Sequence, residues 1–155
     1  MKIIFLDIDG VLNSRRYDQE RAPGYANKID VTRLPLLKEI VDRTGARIVL
    51  STSWRMYWEP DEALCAPIGQ DINELFAQYE LSIYDKTPTI SARDRDEEVR
   101  EWLSAHNGEV ESFVMLDDIA FGWGDLSDHL VRTSPMIGRG LEQEHVEKAI
   151  LLLNE

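Results

Sequence analysis

Residues 2–10, KIIFLDIDG, form a nearly continuous apolar run broken by acids and closed by a glycine. A run without polar alternation has no face to give to water, so it predicts a buried central strand with Asp7 and Asp9 at its carboxyl end. A polar stretch with Arg15, Arg16, Pro23 and Gly24 follows. Leu34, Leu37, Ile40 and Val41 then recur at helical spacing, with Gly45 placed to stop the helix. Pro35 fits that helix only in its first turn. ARIVLSTSW (46–54) predicts a second buried strand, ending in hydroxyl residues, and SFVMLDD (112–118) another, ending in two carboxylates. Between them, after a Pro- and Gly-punctuated stretch, Val99, Trp102, Leu103 and His106 lie on one face of a helix. A short strand around Leu130 to Arg132 and a last helix carrying Val146, Ala149, Ile150 and Leu153 complete the pattern. Strand and helix alternate, which predicts an α/β fold: three layers, Rossmann-like, around a mainly parallel sheet.

Composition narrows this picture. The chain has 155 residues, 43% hydrophobic and 30% charged, the balance of a globular protein, and residues 1–155 are expected to form a single domain. Cys65 is the sole cysteine, so no internal disulfide can form and no Cys/His cluster offers a zinc site. No run of about 18 apolar residues exists to span a membrane, and Met1 opens directly into the first strand without the features of a signal peptide. A cytoplasmic location is the expectation. The formal charge of -12 repels nucleic-acid backbones and anionic membranes at long range. This argues against a broad nucleic-acid-coating role, although Arg15 and Arg16 could still grip one phosphate.

The chemistry sits where strands end. In open parallel sheets ligands bind beyond the carboxyl ends of the strands. Here Asp7 and Asp9 leave the first strand, Ser51, Thr52 and Ser53 the second, and Asp117 and Asp118 another. Four carboxylates converging on one edge repel one another unless a cation neutralises them, and all-oxygen ligation favours Mg²⁺. A carboxylate beside Mg²⁺ can attack a phosphoryl group whose charge the metal screens.

FLDIDGVLN resembles the first motif of the haloacid dehalogenase-like (HAD) superfamily, DxDG behind an apolar strand. VLSTSW resembles its second motif and VMLDD its acidic fourth. The resemblance implies a HAD-like phosphatase with an aspartyl-phosphate intermediate. It makes Asp7 the nucleophile, Asp9 the general acid and base, and Thr52 the hydroxyl that holds the phosphoryl group. Asp118 becomes the direct metal ligand, Asp117 a carboxylate that orients water on the metal, and Asp9 a further ligand through its backbone carbonyl. For the cation of the third motif two residues compete: Arg95, at the start of the helix containing EEVREWL, and Lys86 in YDKTP. Arg95 is favoured, because an Arg there would neutralise both nucleophile and phosphoryl oxygens. Cap domains of this superfamily would be inserted at Val11 to Ile29 or Met56 to Pro88. Both segments are short, so a capless, open site is expected. The STSWR and LDD segments are also similar to phosphatase domains of nucleic-acid repair enzymes of the polynucleotide kinase-phosphatase type.

Plainer roles stand beside these. Thr52 alone could satisfy backbone groups at a strand end. Ser53, Trp54, Arg55 and Lys86 are candidate substrate-binding residues, with Trp54 stacking on a base or sugar and Arg55 binding phosphate; a packed Trp and a surface Arg are the alternative. Asp125 and Asp128 could brace the metal shell or simply belong to a loop. The substrate is expected to be a small or terminal phosphomonoester, including a nucleic-acid end. Rival functions are a phosphotransferase and a receiver-like phosphoacceptor signalling domain. The receiver pattern puts its acceptor Asp on a later strand, whereas here DxDG sits on the first.

Overall fold

A computed structural model describes residues 1–15, 28–90 and 94–155, so Arg16, Pro23 and Gly24 lie outside the described residues. Five strands form one sheet: β1 (Lys2–Leu6), β2 (Arg47–Leu50), β3 (Ile83–Lys86), β4 (Ser112–Asp117) and β5 (Leu130–Arg132). Their order is β3-β2-β1-β4-β5, and every neighbouring pair is parallel. Among the described residues four α-helices cover the sheet: α1 (Leu34–Thr44), α2 (Pro67–Ala77), α3 (Arg95–Ala105) and α4 (Gln143–Leu153).

The alternation of strand side chains sorts the core into two halves. Ile4 and Leu6 of β1 point to the side where Leu37 and Ile40 of α1, Ile72 and Phe76 of α2, and Val146, Ala149 and Ile150 of α4 pack. Ile3 and Phe5 point to the other, against Val99 and Trp102 of α3 and Trp123. β1 is thus covered on both faces, which is why its sequence is continuously apolar. The helix predicted over Leu34 to Val41 ends at Gly45, whose N–H donates to the Val41 carbonyl, and Pro35 occupies its first turn.

Two elements were not predicted. The stretch between the second strand and the α3 face contains α2 and β3. β3 is a four-residue edge strand with no fully buried position and shows no clear period, whereas α2, opened by Pro67, carries Ile68, Ile72, Leu75 and Phe76 at helical spacing, a signal that the reading of this stretch as loop passed over. Both are core elements: Met56 to Pro88 completes the sheet and builds no cap. Among the described residues no helix is long and apolar enough to cross a membrane.

Gly69 sets how closely α2 approaches the short 3-10 helix Ser53–Tyr57 that follows β2. A Cβ at Gly69 would lie 2.1 Å from the Tyr57 carbonyl oxygen, a backbone atom that cannot swing aside. Gly69→Ala is therefore expected to lower stability by about 1–3 kcal/mol, as overpacking does. Urea unfolding measures it, and an unchanged midpoint would contradict the packing described.

Candidate active site

The strand order runs outward from β1 to β2 and β3, then reverses to β4 and β5. The crossover from β3 to β4 carries α3 on the opposite face from α1 and α2. The reversal leaves a crevice beyond the carboxyl ends of β1 and β4. The Asp7 N–H donates to the Leu116 carbonyl at 3.0 Å, extending the ladder in which Leu6 pairs with Leu116. Register alone therefore brings Asp7 beside Asp117. Carboxylate oxygens of Asp7, Asp117 and Asp118 lie within 4.8 Å of one another.

Arg95, the first residue of α3, reaches into this cluster. Its Nη1 lies 2.9 Å from Asp7 Oδ2 and 2.8 Å from Asp117 Oδ2. One cation against three carboxylates leaves the site short of positive charge. Burial pushes the Asp7 carboxyl up to about 8, the Asp117 charge adds to this, Arg95 opposes it and Asp118 reinforces it. Burial also raises Asp118, again with help from Asp117. For Arg95 burial acts downward, but Asp7 and Asp117 outweigh it and hold the guanidinium above the ordinary arginine range. An all-oxygen set with excess negative charge suits a hard divalent cation. Asp7, Asp117 and Asp118 are the side chains that could hold it.

The turn after β1 is shaped for this approach. Gly10 has φ +83, and a Cβ there would lie 2.5 Å from Asp118 Oδ2, so both conformation and space require glycine. Thr133, just past β5, donates its hydroxyl to the Gly10 carbonyl at 2.6 Å. The loop beyond it adds Leu141 N–H to the Val11 carbonyl and receives Arg15 N–H at Pro135.

Asp9 is not a fourth member of the acidic cluster. Its carboxylate is exposed and turned aside by the Gly10 turn: Asn13 Nδ2 donates to Oδ1 at 3.0 Å and Trp54 Nε1 to Oδ2 at 3.1 Å. A metal role for Asp9 would thus fall to its backbone carbonyl. Thr52 is buried at the end of β2, and its Oγ1 accepts from the Trp54 N–H at 3.4 Å, while Ser53 is exposed beside it.

Three expected substrate contacts are placed differently. Trp54 is only 4% exposed and packs in the core, so it offers no ring face for stacking. Arg55 is buried as well, bonded to the Glu98 carboxylate, to the Thr52 carbonyl at 2.8 Å and to the Thr89 hydroxyl at 3.2 Å. Burial draws its pKa down while Glu98 draws it up. It is the floor of a cavity of about 190 Å³, lined also by Ser53, Met56, Thr89 and Arg95, rather than a free phosphate hook. Lys86 is tied to the carbonyls of Arg55 and Trp58 and to Glu59, away from the acidic cluster. Asp125 pairs with Arg100 on the surface.

Asn13, Glu98 and Thr133 escaped sequence reasoning. Asn13 was present in the first-motif string, and its burial at 3% exposure with its Oδ1 accepting from Gly10 N–H marks it as the lock of the turn. Glu98 lies three residues after Arg95 and one before Val99, so helical spacing already put a carboxylate near the buried face. Thr133 carried no local signal, because its contact crosses the sheet.

An acidic first strand, a second acidic pair on β4, a basic helix start between them and an all-parallel sheet together define a phosphatase-type domain of the HAD superfamily. More narrowly, the chain belongs to the family described as the HAD domain in Swiss Army Knife RNA repair proteins, which matches residues 3–146. No curated protein and no solved structure matches the chain.

The electrostatics give a pH test. Without metal, native Asp7 keeps its proton while the unfolded chain has lost it, so the native state binds more protons from about pH 4 to about 8. Stability from this group is complete below pH 4 and is lost as pH rises through about 8. Millimolar Mg²⁺ is expected to raise Tm more at pH 8 than at pH 5, and Asp118→Ala should remove most of that gain. Equal gains at both pH values would contradict a cation held by ionised Asp7.

Proposed function

We propose that the protein is a Mg²⁺-dependent phosphomonoesterase that works through an aspartyl-phosphate on Asp7, with residues 1–155 acting as one cytoplasmic domain. The observation that carries this reading is the setting of the Asp7 carboxylate: 4% exposed at the sheet's reversal point, against Arg95 and within the acidic cluster. A structural carboxylate would gain nothing from two further carboxylates at its side.

Bound Mg²⁺, held by Asp7 and Asp118 with Asp117 behind them, would supply neutralisation of the phosphoryl oxygens. Arg95 adds a second positive charge from the α3 side, and Thr52 and Ser53 offer hydroxyls. An Asp7 oxygen attacks phosphorus, the bond from phosphorus to the leaving oxygen breaks, and Asp9 gives that oxygen its proton. Asp9 then takes a proton from water as the water oxygen attacks phosphorus. The bond to Asp7 breaks and inorganic phosphate departs. Asp9 suits both proton steps because it stands outside the ion cluster and keeps contact with solvent.

For the substrate we favour the terminal phosphate of a nucleic-acid end. The family's description speaks of RNA repair proteins, and Met56 to Pro88 forms no cap that would close over the site. A charge of -12 leaves little non-specific grip along a strand, which confines recognition to the end itself.

Asp7→Asn is expected to abolish turnover with Tm within a few degrees of wild type, and beryllium fluoride should stabilise wild type alone. Near-full activity in Asp7→Asn would end the covalent reading. Wild type should hydrolyse a 3′-phosphorylated oligoribonucleotide faster than a small sugar phosphate, with a shallow salt dependence. Turnover of the sugar phosphate alone would remove the nucleic-acid part and leave the chemistry standing.

A further inference from the structure

We infer that Trp54 is the positioning residue for Asp9: its indole N–H holds the carboxyl group where its protonated form can deliver a proton to the leaving oxygen and its ionised form can then take one from water. This rests on the reading of Asp9 given above.

An exposed aspartate on a turn ordinarily samples several rotamers and bonds to water. Asp9 is exposed, yet each of its two oxygens has a protein donor, Asn13 Nδ2 on Oδ1 and Trp54 Nε1 on Oδ2. Both donors are themselves fixed. Asn13 is buried and its own oxygen accepts from the Gly10 N–H at 2.8 Å. Trp54 is buried in the 3-10 helix Ser53–Tyr57, whose first turn is capped by Thr52 and held by Arg55, which bonds both the Thr52 carbonyl and Glu98. The carboxylate is therefore clamped between the turn after β1 and the helix after β2.

The choice of acceptor is informative. An indole N–H donates only, and buried tryptophans meet that need with any nearby carbonyl. Trp58 uses Asn73, Trp102 uses Asp85 and Trp123 uses the Ile119 carbonyl. Trp54, like Trp102, donates to a carboxylate, and for Trp54 it is the one to which the mechanism assigns both proton transfers. Two fixed donors also keep Asp9 out of the Asp7, Asp117 and Asp118 cluster, where it would add a fourth negative charge and lose its place beside the leaving group. Proton transfer is sensitive to placement at the scale of one ångström, which is worth about 10²-fold in rate.

The test separates positioning from packing. Trp54→Phe keeps the ring and removes the N–H, and replacing the indole by benzothiophene removes the N–H with shape retained should the Phe variant fold poorly. Two substrates are compared: an alkyl phosphate, whose leaving oxygen needs a proton, and 4-nitrophenyl phosphate, whose leaving group does not. Loss of the N–H should lower kcat about 10- to 100-fold on the alkyl phosphate and less than about 3-fold on 4-nitrophenyl phosphate, with KM little changed. In an Asp9→Asn background the same change should cost almost nothing further, because the two residues act as a unit. The Trp54 indole proton resonance should move upfield in Asp9→Ala. Equal losses on both substrates, or losses that multiply with those of Asp9→Asn, would overturn the inference while Asp9→Asn still discriminates between substrates. If Asp9→Asn itself slowed both substrates alike, the proton-transfer reading of Asp9 would fall and this inference with it.

Discussion

Repulsion among Asp7, Asp117 and Asp118 is the constraint around which the rest of the molecule is arranged. Carboxylates this close and this buried cannot all ionise without compensating charge, and Arg95 supplies only part of it. Register creates the problem, since pairing Leu6 with Leu116 forces Asp7 and Asp117 together. Helix placement relieves it, since α3 begins with the arginine. Glycine at position 10 lets the third carboxylate come in. The charge on Asp7 and the room for a cation beside it are thus two aspects of one electrostatic deficit, and a change at β1, β4 or α3 is felt at the other two.

Sequence periodicity recovered β1, β2, β4, β5, α1, α3 and α4 because each buries a strong apolar face. It missed β3 because an edge strand with half-exposed positions leaves a weak pattern, and α2 because the proline and glycine in that stretch read as loop although Ile68, Ile72, Leu75 and Phe76 keep helical spacing. The residues at the strand ends were also legible: Asp7, Asp117, Asp118 and Arg95 come together where the spacing put them. Between Arg95 and Lys86 the sequence favoured Arg95, and the structure sets Arg95 against Asp7 and Asp117 while Lys86 bonds Glu59 and the carbonyls of Arg55 and Trp58. Trp54 and Arg55 mark a limit. They sit in a short 3-10 helix where neither period applies, and only the packing of α2 and α3 around them turns both side chains inward.

The site is also held from a distance. Arg55 and Glu98 join the segment after β2 to α3, one turn beyond Arg95, so the helix that carries the cation is anchored to the segment that carries Thr52 and Trp54. A fully buried ion pair of this kind contributes little to net stability but is costly to break on one side. Its value here lies in orientation: it ties the cation of one wall to Thr52, Ser53 and the indole that bonds Asp9 on the other.

The bond from Thr133 to the Gly10 carbonyl has a consequence for synthesis. Asp7 is made well before Asp117, Asp118 and Thr133, the residues that share its charge and shape its turn. A growing chain that already carries Asp7 cannot assemble the acidic cluster and its turn until β4, β5 and the loop behind them have emerged. The acidic cluster and the turn beside it therefore take shape only as the sheet is completed.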